Sequence, residues 1–237
     1  MAKNNYVFQR IEKKYVLTPE KYELLRAKLS PYIEEDEFGL SAICNIYFDT
    51  DEGELIRRSI DKPIYKEKLR LRSYGIPEDD NSVVYVELKK KFNGIVYKRR
   101  NKLKYGEARE YLYNGIHPNQ DTQILRETDY FLEFYKPKPA MYIAYDRIAT
   151  YAKEDSSIRI TFDFNIRSRD EKLSFDYGDK DTELLLPDGD IVMEIKVGDA
   201  YPLWLVSALS ELEIYPFSFS KYGNIYKQRR ELCLEAF

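Results

Sequence analysis

The stretch VVYVELKKKFNGIVYKRRNK, residues 83–102, decides the fold. Apolar and charged residues alternate on both sides of Asn93-Gly94, a dipeptide whose positive-φ tolerance suits the two-residue turn that matches strand twist. Side chains alternate faces along a strand. Val84, Val86 and Leu88 therefore share one face and Glu87, Lys89 and Lys91 the other, while Val96, Lys98 and Arg100 share a face after the turn. The pattern predicts an antiparallel hairpin, apolar on one side and charged on the other.

The same alternation recurs outward along the chain. Residues 66–74 set Lys68, Arg70 and Arg72 against Leu69 and Leu71, and residues 158–166 set Arg159, Thr161, Asp163 and Asn165 against Ile158, Ile160, Phe162 and Phe164. Around Val192, Glu194 and Lys196 oppose Met193, Ile195 and Val197; residues 7–16 group Arg10, Glu12 and Lys14; and Arg147 sits within a strand at 141–151. A further strand is predicted at 44–49. Thr18-Pro19 supplies a cap and a first-turn proline for a helix ending near Leu29. Other helices are predicted at 52–59, 104–113, 122–135, 202–212 and 223–234, while 167–190 has no clear pattern. No repeat, low-complexity segment or linker divides the chain, which reads as a single domain over 1–237 of antiparallel α+β class.

Composition narrows the function. The 237 residues hold 38 basic and 41 acidic side chains, a formal net charge of −3, which excludes a uniformly basic nucleic-acid coat. The chain has one histidine, His117, and two cysteines, Cys44 and Cys233. Catalysis by a Ser-His or Cys-His pair, multi-histidine metal sites and zinc clusters are thereby set aside. A metal would need carboxylate oxygens, which favour Mg²⁺ or Mn²⁺. So few cysteines suit a reducing cytoplasm. No signal peptide and no span of about 18 apolar residues is visible, so no membrane insertion is expected. His117 reads as a surface residue, and Trp204 as the residue that packs its helix against the sheet.

Each charged strand face, taken alone, reads as the wet side of a half-buried sheet. Together the faces carry too many like charges, because neighbouring cations repel. Arg10, Lys14, Lys68, Arg70, Arg72, Lys89, Lys91, Lys98, Arg100, Arg147, Arg159 and Lys196 are twelve bases against four acids, Glu12, Glu87, Asp163 and Glu194. That surplus of eight at a net charge of −3 leaves −11 for the rest of the chain. A sheet closed with these faces inward would be a cationic pore that attracts a polyanion. Arg forks and Lys point charges suit phosphate. The four acids would either hold a divalent cation that bridges phosphates or pair with adjacent bases; Glu194, inside apolar IVMEIKV, is the hardest to explain by pairing alone. The aromatic residues fall mostly on apolar faces or helices, which argues against a single-stranded nucleic-acid groove.

FQRIEKKY (8–15), KLRLRSYG (68–75), VYVELKKK (84–91), YDRIA (145–149), IRITFD (158–163), VMEIKV (192–197) and FSKYG (219–223) together resemble the triphosphate tunnel metalloenzyme superfamily. The sequence is most similar to its polyphosphate-polymerase branch, the catalytic domain of the vacuolar transporter chaperone complex and its stand-alone bacterial relatives. The resemblance implies an eight-stranded antiparallel β-barrel forming a basic tunnel, with helices packed outside. It implies ATP and inorganic polyphosphate or pyrophosphate as substrates. Lys14, Arg70, Arg72, Lys89, Arg147, Arg159, Lys196 and Lys221 would be the catalytic phosphate ligands, with Arg10, Lys68, Lys98 and Arg100 binding further along the substrate. Glu194 would be the principal ligand of Mn²⁺ or Mg²⁺, with Glu12, Glu87 and Asp163 as further ligands. Tunnel triphosphatases and cyclases usually open with E-x-E-x-K, where this chain has Arg10, Glu12 and Lys14. The exchange removes an acid and favours the polymerase-like branch. A tunnel triphosphatase and a non-catalytic polyphosphate-binding module are the alternatives. The phosphate-sensing module and membrane helices of the yeast-type proteins are not seen here, so coupling to transport is not expected.

Overall fold

Residues 11–186 and 189–235 are described by the computed structural model, so Arg10 lies outside them. Thr18 opens the first helix as its sequence predicts. Its hydroxyl accepts from the Lys21 N–H at 3.2 Å, Pro19 fills the first helical position, and the helix α1 runs Pro19–Leu29 after strand β1, Ile11–Leu17. There follow β2 (Ile33–Asp49), α2 (Glu54–Ile60), β3 (Tyr65–Tyr74), β4 (Val83–Phe92), β5 (Ile95–Lys104), α3 (Tyr105–Asn114) and α4 (Gln123–Tyr135). The chain continues through β6 (Lys138–Ala152), β7 (Arg159–Arg169), a 3₁₀ turn (Phe175–Tyr177), β8 (Glu183–Leu184), β9 (Ile191–Val197), α5 (Leu203–Glu211) and α6 (Lys221–Glu235). Asn93 and Gly94 turn the β4–β5 hairpin with φ of 45° and 84°, the positive values such a turn demands.

The strands form one antiparallel sheet in the order β1-β9-β7-β6-β2-β3-β4-β5, with β8 pairing β7 off that path. This is the α+β class read from the sequence. The main path holds eight strands, the number expected from the sequence. β2 begins eleven residues before the predicted start at 44. Its early part, IEEDEFG, is acidic and poor in strand-forming residues, so backbone pairing rather than propensity extends it.

The chain divides into two compact units, with β2, β6 and β7 running through both. The first holds β1, α1, β9, α5 and the adjoining parts of the three long strands. Its core sets Tyr15, Leu17, Ile160, Phe162, Met193 and Ile195 from the sheet against Leu25 and Leu29 of α1 and Leu205 of α5. Trp204 stacks on Tyr32 with ring centroids 4.9 Å apart, holding α5 as its sequence suggested. The second unit holds α2, β3, β4, β5, α3, α4 and α6 with the other parts of the long strands. There Leu69, Leu71, Val84, Val86, Leu88 and Leu103 pack beneath Ala108 and Leu112 of α3 and Leu125 and Phe131 of α4. Each such aliphatic side chain contributes about 1.5–3 kcal/mol when fully buried. That burial fixes which face of every strand is left for charge. No helix among the described residues is long and apolar enough to cross a membrane.

Candidate functional site

In the second unit the ladders β2–β3–β4–β5 place Tyr47 opposite Arg70, Arg70 opposite Glu87, and Glu87 opposite Arg100. One row along, Asn45, Arg72, Tyr85 and Lys102 align; on the other side lie Lys68, Lys89 and Lys98, and beyond them Lys66 and Lys91. This is the side of β3–β5 opposite the aliphatic core. In these four rows its twelve positions on the three strands hold Lys66, Lys68, Arg70, Arg72, Lys89, Lys91, Lys98, Arg100 and Lys102, with Glu87 as the one acid. Lys66 and Lys102 were not singled out in the sequence, although the same period-two count reaches both.

Glu87 is 1% exposed and gathers the guanidinium groups. Arg70 donates to it through Nε at 2.8 Å and Nη2 at 2.6 Å, and Arg100 through Nε at 2.7 Å. Lys98 Nζ lies 2.9 Å away, and Arg72 Nε 3.9 Å. Burial pushes the Glu87 carboxyl up, but Arg70, Arg72 and Lys98 outweigh it and hold the group well below the usual carboxylate range. The same crowding acts on the partners. Burial, with Arg70 and Arg72 nearby, outweighs the Glu87 attraction and brings Lys98 down to about 8. Tyr47 accepts from Arg70 Nη1 at 3.0 Å; burial raises its phenol, but Arg70, Arg72 and Lys68 bring it down to about 8. Arg72 is buried and donates from Nε to Asn45 Oδ1 at 2.8 Å, while Asn45 Nδ2 donates to the Ile143 carbonyl at 3.0 Å.

Lys221 opens α6 beside this face. Ser220 caps the helix by accepting from the Gly223 N–H at 3.2 Å, and the next residue, Tyr222, donates to Asp49 Oδ2 at 3.0 Å and rests 5.0 Å from the Tyr47 ring. Asp49 in turn accepts from the N–H groups of Leu55 and Ile56 at the start of α2. The segment FSKYG is thus tied to the end of β2 through one buried carboxylate.

The first unit carries the other predicted residues. The ladders set Lys14 and Thr161 on either side of Glu194, and Glu12 and Arg159 on either side of Lys196. Glu194 pairs with Lys196 through Oε1 and lies 3.6 Å from Lys14, which also lies 3.2 Å from Glu12. Burial raises the Glu194 carboxyl, but Lys196, Lys14 and Arg147 overcome it and hold it below the carboxylate range. Asp163, fully buried, receives a two-pronged fork from Arg147 at 2.6 and 2.8 Å. Burial would weaken Arg147 as a cation, yet Tyr145, Asp163 and Glu194 keep it charged. Arg159 is exposed. The structure thus brings Arg70, Arg72, Glu87, Lys98 and Arg100 into one contact network and Glu12, Lys14, Glu194 and Lys196 into another. Lys68 and Lys89 join the first by register, and Arg147 with Asp163 forms a fork close to the second.

The metal expectation meets this pairing. Among the described residues no three His, Cys, Asp or Glu side chains gather as a ligand cluster. Glu87 lies among four cations, and both Asp163 oxygens accept from Arg147. Glu12 and Glu194 differ: both reach one point, the Lys14 ammonium, and a divalent cation needs only one or two carboxylates when phosphate oxygens complete its shell.

A family model described as the VTC domain matches residues 9–229. Among solved structures, a proposed adenylate cyclase from Bacillus halodurans is similar at 16% identity, covering 89% of this chain and 93% of that one with a TM-score of 0.53. A proposed adenylate cyclase from Vibrio parahaemolyticus gives 12% identity, 93% and 98% coverage and a TM-score of 0.48. A protein of Pyrococcus horikoshii OT3 gives 13%, 93%, 99% and 0.46. The first of these supports the fold. A search of curated proteins gives no match.

Proposed function

From the premise that this chain belongs to the VTC domain family, matched over residues 9–229, we propose that it binds the phosphates of ATP and of inorganic polyphosphate and transfers the γ-phosphoryl group to the chain end. One observation carries the reading: nine bases and a single acid share the twelve positions of four cross-strand rows on one face of β3–β5. Lys68, Lys89 and Lys98 lie directly opposite one another across three strands, an arrangement of like charge that a bound anion would favour.

Arg70, Arg72 and Arg100 supply forks to phosphate oxygens, and Lys68, Lys89 and Lys98 supply point charges. Glu87 acts by position. It holds the Arg70 and Arg100 guanidiniums side by side, so little rearrangement remains when phosphate arrives. Lys14, Arg147, Arg159 and Lys196, with Lys221 at the head of α6, are assigned to phosphate oxygens as well, and Arg10 keeps its sequence-based assignment as a substrate ligand. Glu12 and Glu194 are the residues assigned to Mn²⁺ or Mg²⁺, which when bound supplies charge neutralisation at bridging phosphate oxygens. Glu87 and Asp163 are assigned to hold arginines instead. In the transfer, an oxygen of the terminal chain phosphate forms a bond to the γ-phosphorus, the bond from that phosphorus to the β–γ bridging oxygen breaks, and ADP leaves. The nucleophile belongs to the substrate, so a chain with one histidine loses nothing by it.

Incubation with ATP and Mn²⁺, resolved on a gel, tests the reading. A ladder of polyphosphate is expected. Free phosphate without a ladder would make the protein a triphosphatase, and unchanged ATP a binding module; the second outcome overturns the transfer and the third the enzyme.

A further inference from the structure

Sequence alternation assigns most aromatic side chains to the core, yet two break that rule on the charged face. Tyr74 follows Arg72 on the same side of β3, and Tyr85 lies opposite Arg72 on β4. Tyr74 is 52% exposed, and Tyr85 is partly exposed. Their rings meet edge to face with centroids 5.7 Å apart. Arg100 ties them to the charged rows: its guanidinium lies 4.1 Å from the Tyr85 centroid, its Nη2 donates to the Tyr74 hydroxyl at 2.6 Å, and its Nε donates to Glu87.

The face is therefore graded along its length. The two tyrosines stand at one end beside Arg72 and Lys102, the Arg70–Glu87–Arg100 row lies in the middle, and at the other end lie Lys68, Lys89 and Lys98, followed by Lys66, Lys91 and Val96. The span from the Arg72 row to the Lys66 row is six residues, about 20 Å at strand rise. An inorganic phosphate chain makes no use of two rings. A ligand with a flat head and an anionic tail uses the whole gradient.

Resting on the reading that this face binds phosphates, we propose that Tyr74 and Tyr85 form a nucleobase platform, so that a nucleoside polyphosphate lies with its base at this end and its phosphates directed toward Lys68, Lys89 and Lys98. A ring face stacks on any base, and Arg100 adds a cation beside the stack. The platform thus favours nucleotides over inorganic triphosphate without choosing among bases. Base stacking of this kind is worth between about fivefold and about a hundredfold in affinity.

Calorimetry on the full chain with ATP, GTP and inorganic tripolyphosphate tests it. Tyr74→Leu is expected to weaken ATP and GTP by about fivefold or more while tripolyphosphate stays within about twofold, and Tyr74→Phe, which keeps the ring, is expected to retain nucleotide affinity. Tyr85→Leu should act in the same direction; because Tyr85 is partly buried, a thermal melt checks its fold, and Tyr74→Leu decides the matter if Tyr85→Leu unfolds. Unchanged ATP affinity in Tyr74→Leu, or equal losses for ATP and tripolyphosphate, overturns the platform and leaves the phosphate reading standing. Failure of the unaltered protein to bind tripolyphosphate overturns the phosphate reading, and the platform with it.

Discussion

Two charged faces built on the same alternation solve opposite electrostatic problems. On β1, β9, β7 and β6 the acids Glu12, Glu194 and Asp163 interleave with Lys14, Lys196, Arg147 and Arg159, so most charges find a partner of opposite sign at hand. In four rows of β3, β4 and β5, Glu87 is the one acid among nine bases. The first face holds itself together without a ligand. The second gathers like charge on neighbouring strands, and that concentration makes it the better candidate for phosphate capture. The lesson is that a count of bases says little until the acids between them are located.

The largest expected effect tests whether one acid anchors the second face. Glu87→Gln should cost about 3–5 kcal/mol in chemical denaturation, because it leaves several half-buried cations uncompensated, and added tripolyphosphate should restore much of the loss. Glu194→Gln should cost less, about 1–2 kcal/mol in the same assay, since two cations pair with it where four surround Glu87. Equal losses would erase the contrast.

Turnover should reverse that ranking. Glu194→Gln is expected to lower metal-dependent turnover about 100-fold, some 2.7 kcal/mol of barrier, with tripolyphosphate affinity kept. Full activity in this variant would remove Glu194 as a metal ligand. Binding should show a smaller difference. Arg70→Ala should weaken tripolyphosphate about tenfold, near 1.4 kcal/mol, by removing a fork held in place. Arg159→Ala, exposed and opposite Lys196, should weaken it about twofold. An equal effect from both would mean that the two faces contribute alike.

The smallest effect is in pH. Lys98 and Tyr47 both have folded values brought down to about 8, against ordinary values of 10.5 and 10.0. Between about 8 and those ordinary values the unfolded chain holds more protons than the folded one, so stability of the ligand-free protein should rise as pH climbs from 8 toward 10. Tripolyphosphate affinity should fall over the same range as Lys98 loses its charge. Lys98→Ala should flatten both curves. Parallel rather than opposing trends in the unaltered protein would remove Lys98 from the anion site.

Much of this was legible because period-two alternation is local. Leu69 and Leu71 against Arg70 and Arg72, Asn93-Gly94 at the hairpin, and Thr18-Pro19 at the first helix each follow from a few adjacent residues. β2 was legible only from 44 onward, because its first half is acidic and poor in strand-forming residues. Tyr47, Tyr74 and Tyr85 were read with the core aromatics because the sequence gives no sign of which neighbours a tyrosine meets across the sheet. The acids were the least legible. Glu87 and Glu194 look alike between apolar neighbours, and only the register shows Arg70 and Arg100 flanking the one and Lys14 and Thr161 the other.

The sequence by itself determined which side of each strand is charged, since that depends on dihedral geometry repeating every two residues, and it determined the family through seven short segments in order. Tertiary structure alone decided which charges face one another. Cross-strand pairing joins residues such as Tyr47, Arg70, Glu87 and Arg100 from four strands, and both the Coulomb energy that ionises Glu87 and the burial that draws Lys98 down depend on distances of a few ångströms that no local pattern encodes.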